Sequence, residues 1–148
     1  MTARPFLRRL GRDEAGATIL EFALLSPLLI VMLFGTLQVG IMLQSYNALR
    51  HVSADVARHA MVQYATGNNL DNDELTLYAR GIATQAPYLL SSTLVVTIRD
   101  TATPEIAGTT EKALTINYEI PSMVSSMGLD GPWITYARPL FLTTPTAT

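Results

Sequence analysis

Residues 17–43 read ATILEFALLSPLLIVMLFGTLQVGIML, and this run decides how the chain is organised. Glu21 is its only charged side chain, and Gln38 is the only other strongly polar one. A membrane-spanning helix needs about 20 predominantly apolar residues, so the run predicts one transmembrane helix. The competing interpretation is a cleaved secretory signal, whose apolar region covers only ~7 to 15 residues and ends at a small-residue site. The sequence after Leu43 has no such site, and the run is too long.

The two flanks of this run differ in positive charge. Arg50 and Arg58 follow it, whereas four arginines precede it within a comparable distance: Arg4, Arg8, Arg9 and Arg12. The positive-inside rule therefore predicts a cytoplasmic N-terminus in the inner membrane and a periplasmic C-terminal domain. Incorporation into a surface fibre would be a later location of the same chain.

Composition argues against several classes of function. The chain has 148 residues, a formal net charge of -2 and no cysteine, which excludes disulfides, thiol nucleophiles and cysteine-based metal sites. No basic stripe interleaved with aromatic residues lies beyond the first residues, so we predict no nucleic-acid partner. No nucleophile motif or glycine-rich phosphate loop is found, and we predict neither an enzyme nor a bound cofactor.

The start of the apolar run carries a more specific pattern. Residues 13–24, DEAGATILEFAL, place a glycine and a small residue ahead of a glutamate–aromatic pair, between a basic leader and the span. This pattern resembles the processing region of the TadE-like pseudopilins of the tight-adherence (Flp/Tad) pilus system, and the resemblance covers about residues 13 to 60. It implies these roles: Gly16 the last leader residue, Ala17 the mature N-terminus, Glu21 the fifth mature residue, Phe22 its aromatic neighbour, and Pro27 the helix proline.

The resemblance also implies partners and a function. A membrane-embedded prepilin peptidase would cut the leader, which makes the chain a substrate and not an enzyme. Its other partners would be pilins or pseudopilins and the inner-membrane assembly platform. The long C-terminal region indicates a minor pseudopilin that assembles or primes a type IVb-like pilus. The alternative function is an uncleaved, single-pass, membrane-anchored periplasmic binding module.

Glu21 is a carboxylate inside an otherwise apolar segment. Near the bilayer centre it would cost at least ~2.5 kcal/mol, so it calls for a partner. Cleavage between Gly16 and Ala17 would create an α-amine that a neighbouring copy, shifted along the helix axis, could present to Glu21. Such a pair would fix the register between subunits more than it would add stability. The alternative is a Glu21 close enough to the cytoplasmic interface to reach water.

Two further features of the span concern its shape and its contacts. Pro27 removes a backbone donor and crowds the carbonyl of Ala23, which predicts a kink. Thr36 and Gly40 form a small-xxx-small pair that would permit a close helix contact, although such pairs also occur by chance.

The remaining chain predicts an α+β, pilin-like fold. The long first helix should continue to about Thr66, and a second should begin at the N-cap Asp71, with Glu74 completing a capping box, and stop before Pro87. Strands are predicted at 93–99, 113–120 and 133–140, forming a small, mainly antiparallel sheet packed on the first helix. The predicted domains are a leader (1–16), a transmembrane helix (17–43) and an exported domain (44–148).

Two groups of polar residues have the spacing of metal ligands. His51, Asp55 and His59 share a helix face, but further ligands are lacking and a solvated face is the simpler interpretation. Asn69, Asp71 and Asp73 imitate the start of a calcium loop, whose glycine and final glutamate are missing. We predict no metal site.

Overall fold

Two helices precede three strands in the computed structural model, which describes residues 14–90, 93–123, 125, 128 and 130–143. Predicted leader residues 1–13 lie outside the described part. The elements are α1 (Glu14–Ala65), α2 (Asn72–Thr84), β1 (Val95–Asp100), β2 (Thr110–Glu119) and β3 (Trp133–Leu142). The chain divides into two compact units, Met1–Val39 and Gly40–Thr148. The predicted α+β class, with a long apolar first helix and a three-stranded sheet, is confirmed.

The core of the second unit lies between one face of α1 and one face of the sheet. Leu49, Val52, Val56 and Ala60 recur every three or four residues along α1, and all four are fully buried. The sheet contributes mainly alternate residues of β2 and its continuation, which are also buried: Leu114, Ile116, Tyr118 and Ile120. The apolar sheet face is therefore covered by α1, as the sequence predicts.

Helix α2 begins with the predicted cap. The Asp71 carboxylate accepts a hydrogen bond from the backbone N–H of Asn72 at 2.6 Å, and the Glu74 carboxylate accepts one from the N–H of Asp71 at 3.0 Å. These bonds belong to a complete capping box, which satisfies donors that the first turn leaves free. The helix ends at Thr84, before Pro87, and buries Leu75, Ala79 and Ala83.

The sheet is an antiparallel meander in the order β1-β2-β3. Strand β2 begins at Thr110, three residues before the predicted start, because Glu111 and Lys112 are buried rather than exposed in a loop. The Glu111 carboxylate accepts a hydrogen bond from the N–H of Glu105 at 2.7 Å, so it closes the connection from β1. The predicted start of β2 was therefore too late, because two charged residues that indicated a loop belong to the strand.

Candidate functional site

Most side chains in the apolar run of α1 are exposed. Its large side chains are exposed, for example Ile19 at 71%, Phe22 at 67% and Leu24 at 72%. The most apolar window of Gly16–Ala65 has a mean hydropathy of 2.2, and none of it is buried. A core helix of a soluble domain buries its apolar face. This helix has the length and composition to cross a membrane, and lipid would cover the side chains that the chain leaves exposed.

Helix α1 continues through Pro27, and a neighbouring side chain accounts for the missing backbone bond. Proline has no N–H to donate to the carbonyl of Ala23, one turn earlier. The hydroxyl of Ser26 donates to that carbonyl at 3.3 Å. Serine side chains are among the groups that satisfy freed carbonyls in membrane helices. The sequence analysis did not predict this hydrogen bond, although the Ser-Pro dipeptide could have indicated it. The kink at Pro27 stays a prediction.

The predicted processing point lies in the first turn of α1, where Gly16 and Ala17 are both exposed. The first N–H groups of a helix have no intrahelical acceptor, so this end unwinds more easily than the middle. A Cβ added to Gly16 would meet no heavy atom within 4 Å. Packing within the described chain therefore does not require a glycine at this position.

Glu21 lies one turn further along the same helix and is exposed, beside exposed Phe22. Within the described residues, Glu21 forms no ion pair. Its carboxylate is about 6 Å along the axis from Ala17, since each residue rises 1.5 Å. An amine on a second helix, displaced by that distance, would reach the level of Glu21.

The second half of the run offers room for another helix. Added Cβ atoms at Gly35 and Gly40 would likewise meet nothing within 4 Å. The Thr36 hydroxyl donates to the carbonyl of Met32 at 2.8 Å, so its polar group is satisfied within the helix. The predicted Thr36–Gly40 contact needs a second chain and stays a prediction.

The three residues with metal-ligand spacing on α1 have separate environments. Asp55 accepts a hydrogen bond from the Tyr88 hydroxyl at 2.7 Å, and this bond raises the pKa of Tyr88, with burial adding to it. The His59 ring stacks on Tyr78, with ring centroids 3.9 Å apart. His51 is exposed. Among the described residues no group of three or more His, Cys, Asp or Glu is placed to hold a metal.

A polar cluster that the sequence did not predict joins α2 to the sheet. Lys112, the only lysine of the chain, is buried in β2, and its ammonium contacts the Asp100 carboxylate and the Asn72 amide oxygen, each at 2.7 Å. The Asn72 amide donates to the second Asp100 oxygen at 2.9 Å. The signal in the sequence was a lone lysine beside an alternating apolar strand.

Each group in this cluster stabilises the charge of the other. The hydrogen bond from Lys112, followed by that from Asn72, lowers the pKa of Asp100. Burial acts to lower the pKa of Lys112, but the hydrogen bond and charge of Asp100, with a contribution from Tyr64, reverse this and raise it. The arrangement holds α2 against the β1–β2 hairpin.

Comparison with protein families gives a match on α1. Residues 16–58 match the family described as TadE-like protein, which confirms the predicted resemblance. The matched segment starts at Gly16 and includes Glu21, Pro27 and the core face of α1 as far as Arg58. No curated protein matches the chain. No solved structure matches it either.

Proposed function

We propose that this chain, a Tad pilus-related protein with a TadE-like segment at residues 16–58, is a minor pseudopilin. A prepilin peptidase cuts it between Gly16 and Ala17 at the cytoplasmic face of the inner membrane. The mature chain, anchored by residues 17–43 with residues 44–148 in the periplasm, then acts in assembling or priming the pilus. Its partners are other pilins or pseudopilins and the assembly platform.

One observation carries this proposal: the TadE-like match begins at Gly16, in the first turn of an exposed apolar helix. The scissile bond needs only that turn to unwind, and a glycine lowers the cost of unwinding because it is the most conformationally permissive residue. Packing does not require the glycine, so a requirement for it would come from the peptidase.

The carboxylate of Glu21 supplies the assembly step. Among the described residues it forms no ion pair, and lipid disfavours such a charge in an apolar segment. The cut creates an α-amine on Ala17, and a neighbouring helix shifted by about 6 Å brings its amine level with this Glu21. The two charges stabilise one another only when the helices are in the correct register. Unprocessed chains lack the Ala17 α-amine and cannot form this pair.

The test is the intact mass of the full chain extracted from membranes of cells with and without the peptidase. We expect loss of residues 1–16 only when the peptidase is present, and no loss for Gly16→Val. Gly35→Val is the matched control, because both glycines have open space around them, and it should be cut normally. A wild-type chain that stays uncut with active peptidase would contradict the proposal and favour the membrane-anchored binding module.

A further inference from the structure

Three large side chains of the second unit are exposed: Tyr46 at 42%, Leu89 at 72% and Trp133 at 58%. We call these three residues the rim. They come from three separate parts of the chain, α1, the connection after α2 and the first position of β3. Their common feature is their position along α1, next to the end of the apolar run.

The position of Leu89 follows from a cavity that it lines. The cavity has a volume of about 340 Å³, and its lining on α1 extends from Ile41 to His51. The apolar run ends at Leu43, between those α1 residues. Leu89 therefore lies beside the segment of α1 that begins where the apolar run ends.

The position of Trp133 follows from the direction of β3. Tyr136 packs edge-to-face against Tyr46, with centroids 5.9 Å apart. Leu140 pairs with Lys112, which interacts with Tyr64 further along α1. Strand β3 and α1 thus advance in the same direction. Trp133 precedes Tyr136 by three residues, or about 10 Å, which places it near the end of the apolar run.

The backbone holds Leu89 in an unusual conformation. Its φ is 50°, in the left-handed region that a bulky side chain rarely adopts. Both neighbours are fixed: Tyr88 donates to Asp55 at 2.7 Å, and the N–H of buried Leu90 donates to the carbonyl of Ala83 at 2.9 Å. Strained conformations persist where the surroundings enforce them, and they cluster at functional positions.

We propose that the rim inserts into the interfacial layer of the lipid leaflet on the exported side. This rests on the proposed function only for the membrane span. Trp and Tyr are enriched at this layer because their rings are apolar while their N–H or O–H groups reach water. Two acidic residues are close to Trp133 in the sheet or in sequence: Glu119, opposite it on β2, and exposed Asp130. Apolar contact, and not attraction to anionic headgroups, therefore drives the insertion, and zwitterionic lipid suffices.

Trp133 is the only tryptophan of the chain, so its fluorescence reports on the rim alone. The full chain is reconstituted into phosphatidylcholine vesicles whose acyl chains carry bromine, a contact quencher, either near the glycerol or near the bilayer centre. We expect blue-shifted emission that is quenched more by the shallow bromine than by the deep one. Leu89→Asn should reduce this quenching, because asparagine tolerates the left-handed conformation but does not insert. Leu77→Asn, at an equally exposed leucine of α2, is the matched control and should leave quenching unchanged.

A second probe separates this proposal from the membrane span itself. Leu33→Trp in a Trp133→Phe background places a tryptophan inside the apolar run, where deep bromine should quench it. If that probe is quenched and Trp133 is not, the span stands and the rim proposal is overturned. Blue-shifted but unquenched Trp133 emission also overturns it, because protein rather than lipid then covers the ring. If neither probe is quenched, the span is wrong and the rim proposal with it.

Discussion

Introduced cysteines can measure the register proposed for the Glu21–amine pair, because the chain has no cysteine of its own. Leu28 and Met32 are exposed and follow Glu21 by about two and three turns, on the same face of α1. A neighbour displaced by about 6 Å has its residue 28 level with residue 32 of the first chain. A disulfide requires Cα atoms about 4.4–6.8 Å apart, so the shift favours the mixed pair over either like pair.

The expected result is therefore a dimer band from co-expressed Leu28→Cys and Met32→Cys chains that exceeds the band from either variant alone on non-reducing gels. A hydrogen bond to a charged group contributes about 1.5–3 kcal/mol, so Glu21→Gln should weaken the mixed association by roughly tenfold to a hundredfold. Blocking the cut with Gly16→Val should have the same effect, because the amine is then absent. Like pairs that cross-link as well as the mixed pair, or a Glu21→Gln chain that cross-links normally, would refute the staggered pairing.

Further predictions concern the second unit, and each is read from thermal unfolding of the full chain in detergent by near-ultraviolet circular dichroism. Asp100→Ala should destabilise it by about 1–3 kcal/mol because buried Lys112 loses its charged partner, whereas Lys112→Met should stay within about 1 kcal/mol of wild type. Asp71→Ala should lower the free energy of unfolding by about 1 kcal/mol because the helix cap is lost, whereas Asp71→Ser should keep most of the stability that the cap contributes. The pKa of Tyr88 is raised from its ordinary 10.0 by its bond to Asp55, so its contribution is present below pH 10.0 and is lost as pH rises through the higher native value. The stability difference between wild type and Tyr88→Phe should therefore shrink in alkali; a difference independent of pH would count against the bond.

Local patterns predicted most of the fold. The apolar run, the Asp71–Glu74 capping box and the alternation from Leu114 to Ile120 each depend on neighbours in sequence, so the sequence alone located α1, α2 and β2. The start of β2 was missed because burial of Lys112 depends on Asp100 and Asn72, which only the folded chain brings together. Contacts between residues this far apart in sequence produce no periodic pattern in the amino-acid sequence.

The candidate site divides in the same way. Gly16, Ala17 and Glu21 were predicted as site residues from their residue types and their spacing along one helix, and their roles stay predictions. The role of Ser26 at the Ala23 carbonyl and the outward placement of Leu89 were not predicted. Both depend on backbone geometry, the first on the proline-interrupted helix and the second on a turn that Tyr88 and Leu90 fix from either side.

Pro139 lies within β3, which pairs with β2 and is an outer strand of the sheet that the described residues form. Proline has no N–H to offer a further strand, and outer strands with unpaired donors are templates for aggregation. In the proposed assembly, the chain repeatedly meets copies of itself in the membrane. By weakening strand addition at this edge, Pro139 would leave helix contacts as the favoured mode of association and protect the chain from an amyloid-like alternative.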